Sequence, residues 1–215
     1  MGPSSQAVDP SGLGGRPGKR RAILDAARRV FFSNGFVQTS VDTIAAEAGV
    51  SKQTIYNHFG DKRALFAAVA EAVQAEARAA TEARGASRFV ESGDLEHDLR
   101  LLARVLVDAA LIKDVVALRR IVIAERAHDP ALVEAFARPR STFDQAFAEE
   151  IRRWVRLGVL DVADPALATR QFLLLTVQEA VGRSEYGTHE LAPEQVEQIV
   201  ADGVQMWLRA YRVRV

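Results

Sequence analysis

The chain has 215 residues, 48% of them hydrophobic, with no cysteine and a formal net charge of zero. That length can bury a sizeable core in one large domain or two small ones, and the lack of cysteine excludes disulfides, thiolate nucleophiles and cysteine metal sites. His58, His97, His128 and His189 lie too far apart for metal-ligand spacing, no apolar run is long enough to span a bilayer, and the first residues lack a secretory leader's order, so a cytoplasmic protein without cofactor or metal is expected.

In chain order, eleven of the first eighteen residues are Gly, Pro or Ser, too little apolar surface to offset chain entropy, so residues 1–18 read as a disordered arm. From Lys19 the pattern turns helical: Ile23, Ala26, Ala27, Val30 and Phe31 share one face, and Gly35 offers a left-handed stop with Phe36 placed to fold back. Thr39 with Asp42 three residues on has the spacing of a capping box, opening a short helix 2 that ends at Gly49. Ser51 can cap a third helix over 51–58, Gly60 ends it, and Asp61 can cap a fourth running to about Arg84.

The stretch 85–93 reads as a connector. Helical patterns then recur at about 94–110, 114–128, 130–138, 141–157, 165–183 and 193–212, and no segment sustains the period-two alternation of a strand. The expectation is an all-α fold, with a helix-turn-helix domain over 19–63 and a helical bundle over 64–215.

Helix 2, a bend at Gly49, Val50 plugging the angle and a helix opening at Ser51 follow helix-turn-helix order. Ile55 and Phe59 face inward on helical spacing, which leaves Lys52, Gln53, Thr54, Tyr56, Asn57 and His58 for solvent. Those types suit a DNA groove: Gln53 and Asn57 can pair with base edges, Thr54 can meet a thymine methyl or a phosphate, and Tyr56 and His58 can donate to phosphate oxygens. Lys62 stands where backbone amides already favour an anion, and Arg20 and Arg21 are either a solvated helix start or part of an arm entering the minor groove. Residues 16–63 carry nine Lys/Arg against four acids, whereas 64–215 carry nineteen against twenty-three, which agrees with a basic DNA-facing module on a mildly acidic body.

The run FFSNGFVQTSVDTIAAEAGVSKQTIYNHFGDKRALF resembles the N-terminal DNA-binding domain of the TetR/AcrR family of bacterial transcriptional regulators, and AERAHDPALVEAFARP at 124–139 is similar to an AefR-like C-terminal subgroup. The resemblance implies a dimer formed by the last two helices, a ligand cavity in the helical body, and repression that the ligand relieves. By the same analogy Thr39, Ser40, Ser51, Thr54, Tyr56, His58 and Lys62 take phosphates, with Lys52, Gln53 and Asn57 nearest the bases.

In the body, Phe143, Phe147, Trp154 and Phe172 with Arg119, Gln178 and Glu179 are either a ligand pocket or a filled core with nearby polar groups. The nearly all-apolar 165–183 and the stripe of 193–212 suggest half of an intermolecular four-helix bundle, with Leu174, Val181, Val196, Val200, Val204, Trp207, Leu208 and Tyr211 at a homodimer seam. An enzyme is not expected, since metal-ligand spacing, a glycine-rich phosphate loop and a Ser-His-Asp order are all missing. The function expected is a ligand-responsive transcriptional repressor that binds a palindromic operator as a dimer. The alternative is an architectural DNA-binding protein without an effector, which would leave the large body without a task.

Overall fold

The computed structural model describes residues 16–84 and 92–213, with the backbone alone for 131–142. They form helices α1 (Arg16–Gln38), α2 (Val41–Ala48), α3 (Lys52–Phe59), α4 (Lys62–Ala83), α5 (Leu95–Ala110), α6 (Lys113–Glu125), α7 (Pro130–Arg156), α8 (Pro165–Leu173), a π-helical turn (Leu174–Gln178), α9 (Glu179–Arg183) and α10 (Pro193–Tyr211). The fold is all-α; an isolated bridge pairs Leu160 with Arg212, and no strand forms among the described residues. No described helix is long and apolar enough to cross a membrane. The chain divides into two compact units between Val69 and Ala70, within α4.

In the first unit, Ile23, Ala26, Ala27, Val30 and Phe31 of α1 are buried with Ile44, Ile55, Leu65 and Phe66. Gly35 breaks α1 with φ 77° and ψ 174°, a conformation that L side chains resist. The break lets Phe36 fold back, where its ring meets Phe31 at 5.9 Å and Phe66 at 5.3 Å. Gly49 then closes α2 in the left-handed region, and its N–H reaches the carbonyls of Ala45 and Ala46. Arg16, Pro17 and Gly18, expected in a disordered arm, belong to α1; the rest of that arm, and most of the expected connector, lie outside the described residues.

In the second unit α5, α7, α8 and α10 bury a core in which Phe147 and Phe172 pack at 4.9 Å and Phe172 meets Trp207 edge-on at 5.7 Å. Asp94 and Asp164 cap α5 and α8 through their carboxylates. Two helices expected over 130–138 and 141–157 are one helix, α7, which continues through Pro139; a proline removes one amide from the ladder and can bend a helix without ending it. The expected helix over 165–183 contains the π turn, and α10 comes so close to it that a Cβ on Gly203 would lie 2.5 Å from the Leu175 carbonyl oxygen.

The dimer seam expected from sequence needs correction. Val181, Val196, Val200, Val204, Trp207 and Leu208 are buried within the chain's own core, and Tyr211 packs against that core with its hydroxyl bonded to Gln171. Only Leu174 of the expected set is strongly exposed, at 59%. The apolar side chains these helices leave to solvent are instead Leu167, Leu174 and Met206.

Candidate nucleic-acid interface

The exposed face of α3 rests on local signals. Ser51 is extended at φ −76° and ψ 151°, and its hydroxyl accepts from the Thr54 N–H at 3.1 Å, so the first turn starts with its amides partly satisfied. Gly60 at φ 86° ends the helix after two turns. Ile55 is fully buried beneath it, while Lys52, Gln53, Tyr56 and Asn57 are exposed and Thr54 and His58 half-buried. Phe59, expected inward, is only half-buried: the Arg20 guanidinium lies 5.2 Å above its ring. Arg20 and Arg21 are thus α1 residues and not part of a free arm, with Arg21 exposed.

Two hydrogen-bonded pairs organise this face. Gln53 Nε2 donates to Asn57 Oδ1 at 2.9 Å, one helical turn on, and Lys52 Nζ donates to Asp42 Oδ2 of α2 at 2.9 Å. The hydrogen bond to Asp42, then its negative charge, raises the Lys52 pKa above the ordinary lysine value. Beside them Lys19, Thr54, Asn57 and His58 line a groove of about 350 Å³. Lys19 escaped the sequence reading because nothing in a helix-start lysine tells which later side chains it will meet.

Thr39 and Lys62 require corrections. The cap of α2 is Ser40, whose hydroxyl accepts from the Thr43 N–H at 3.0 Å and stays exposed. Thr39 is 2% exposed, and its hydroxyl donates to the Gly35 carbonyl at 2.6 Å, so its side chain is not available to a phosphate. Lys62 donates to the carbonyls of Phe36 at 2.9 Å and Thr39 at 3.0 Å, with its ammonium 4.5 Å from the Phe36 ring centroid. It joins the Thr39 N–H as a donor to the Phe36 carbonyl, and so ties α4 to the α1–α2 turn.

Of the residues expected at an effector pocket, three aromatics are buried, and Phe143 and the polar three are half-buried or exposed. Phe147, Trp154 and Phe172 fill the core of the second unit, and Phe143, half-buried, stacks on Phe147 at 5.7 Å. Glu179 is exposed and bonded to Arg183, Gln178 is half-buried in the π turn, and Arg119 is half-buried on α6.

With this geometry in view, residues 23–69 match the bacterial regulatory proteins of the tetR family, and residues 97–213 match the AefR-like transcriptional repressor C-terminal domain. The HTH-type transcriptional repressor Rv1474c of Mycobacterium tuberculosis is 44% identical over 52 residues, which cover 24% of this chain and 28% of that protein. A TetR-family transcriptional regulator from Mesorhizobium loti superposes with a TM-score of 0.78 at 27% identity, covering 91% of this chain and 97% of the other. The flavonoid-responsive regulator FrrA superposes with a TM-score of 0.74 at 30% identity, covering 92% and 98%.

Proposed function

Because the chain belongs to the TetR family of bacterial transcriptional regulators, and is therefore a DNA-binding regulator and not an enzyme, we propose that it represses from a palindromic operator as a homodimer and leaves the operator when a small molecule binds its body. The observation that supports the DNA side is the short α3, capped at Ser51 and stopped at Gly60, whose outer residues are polar over a fully buried Ile55. A helix this brief buries too little to exist for its own stability; its first turns suit a major groove. Leu167, Leu174 and Met206 are the apolar exposures proposed for the seam between protomers, and two-fold symmetry would set the recognition helices about 34–36 Å apart, or a multiple of that.

Base reading is assigned to Gln53 and Asn57 acting as one unit. Their mutual hydrogen bond leaves Gln53 Oε1 as an acceptor and Asn57 Nδ2 as a donor, the pattern that an adenine edge complements through N6–H and N7. Gln53→Ala or Asn57→Ala should each cost about 1–3 kcal/mol of discrimination at one base pair, and the double variant should cost less than the two together. Titration of single-base-pair operator variants, after selection of bound duplexes from a random pool, checks this. Additive losses at two separate base pairs would mean that the amides read independently.

The first effector class to test is the flavonoids, on the strength of the likeness to FrrA. Linkage is reciprocal, so if a flavonoid weakens operator binding by some factor, operator must weaken flavonoid binding by that same factor. Calorimetric titration of the dimer with and without operator measures both. A bound flavonoid with equal affinity in the two titrations would remove release by that ligand and favour the effector-independent, architectural reading.

A further inference from the structure

The Asp42–Lys52 pair stands on the DNA-facing side of the first unit, and the capping of α2 does not require it. Ser40 already caps that helix, so Asp42 is free to turn outward, where 68% of its side chain is exposed. Each partner sits in the first turn of its own helix. That location favours an anion at Asp42 and disfavours a cation at Lys52, and the carboxylate offsets the second effect. Next to a duplex, the two charges have opposite consequences: an unpaired Lys52 would bind any phosphate, whatever the sequence, while an unpaired Asp42 would repel it.

We propose that Asp42 is a specificity-determining residue that holds the Lys52 ammonium away from the phosphate backbone, so that α3 offers DNA its paired amides and not a free cation. Contact between Lys52 and a phosphate would leave Asp42 facing the same backbone uncompensated, so the pair stays closed on random DNA and Lys52 releases no counterion there. Lys19, which lines a groove with Thr54, Asn57 and His58, carries the sequence-independent attraction instead. Asp42 therefore lowers affinity for all DNA, and lowers it most where no base contacts compete.

The proposal rests on DNA binding through α3, and salt dependence separates the two. Full-length wild type, Asp42→Asn and Asp42→Asn/Lys52→Gln proteins are titrated with operator and random duplexes between about 50 mM and about 200 mM salt. Freeing one lysine for a phosphate adds about 0.9 to the log–log salt slope, so the gain of Asp42→Asn on random DNA should be about 3.5-fold larger at the low-salt end. That gain should exceed the gain on operator, and the double variant should return the slope to the wild-type value. A thermal melt accompanies each protein to show that α2 remains folded. An unchanged slope in folded Asp42→Asn overturns the proposal, as does a loss confined to operator, which would make the Asp42 carboxylate a direct acceptor from a base. A wild-type chain that binds neither duplex removes DNA binding itself.

Discussion

Replacing Trp207 with alanine is expected to destabilise the folded protomer by about 3–5 kcal/mol, the usual cost of removing a large buried aromatic side chain. Trp207 is 1% exposed, and its ring packs within 5.1 Å of Tyr211 and 5.7 Å of Phe172 between centroids. Its Nε1–H donates to the Ala168 carbonyl at 2.9 Å, so the truncation also removes a buried hydrogen bond. Leu174→Glu is the contrasting variant. It alters an exposed side chain of the π turn, and it should shift the sedimenting species from the proposed dimer to monomer while changing protomer stability by less than about 0.5 kcal/mol. Denaturant unfolding at matched protein concentrations, together with sedimentation, checks both expectations. A Trp207→Ala protein that keeps wild-type stability but sediments as a monomer would put Trp207 back at the seam.

The contrast between these two positions shows what a periodic pattern can and cannot carry. The stripe of Val196, Val200, Val204, Trp207 and Leu208 announces a helix with one apolar face, and α10 is that helix. Periodicity does not say which surface the face meets. Here it meets α5, α8 and the π turn of the same chain, because Gly203 lets the two backbones approach closely enough to exclude water. In the first unit the signals were local, and so could be read: serine before α3, glycines after α2 and α3, and Phe36 folding back at Gly35. Thr39 and Ser40 were harder, since adjacent hydroxyls are equivalent as caps until tertiary structure buries one of them. Lys62 shows the same limit: its carbonyl partners, 26 and 23 residues earlier, come within reach only because Gly35 breaks α1.

The link between α9 and α10 holds a constraint that no sequence pattern announced. Glu185 and Tyr186 adopt positive φ values of 48° and 56°, and Gly187 follows at 78°, three left-handed residues in succession. The turn is held from several sides: the Tyr186 N–H donates to the Val181 carbonyl, the Gly187 N–H to the Ser184 hydroxyl, and Arg120 of α6 reaches the Tyr186 carbonyl at 3.1 Å. A Cβ on Gly187 would stand 2.4 Å from Val116 Cγ2 and 2.8 Å from Val116 Cβ, and Val116 is buried on α6 with little room to withdraw. Gly187→Ala should therefore combine a left-handed backbone penalty of about 1–2 kcal/mol with an overpacking cost of about 1–3 kcal/mol. For a chain of this size, each kcal/mol moves the melting temperature by about 2–4 °C. The expected drop is thus about 4–20 °C. Val116→Ala in the same chain removes the methyl group that the new Cβ would strike at 2.4 Å and leaves only the milder approach of Val116 Cβ at 2.8 Å, so the double variant should lose less stability than the two single variants together. Thermal melts of all four proteins decide the matter: additive losses would show that the turn moves away from α6 to make room, and that backbone strain alone makes glycine necessary at 187.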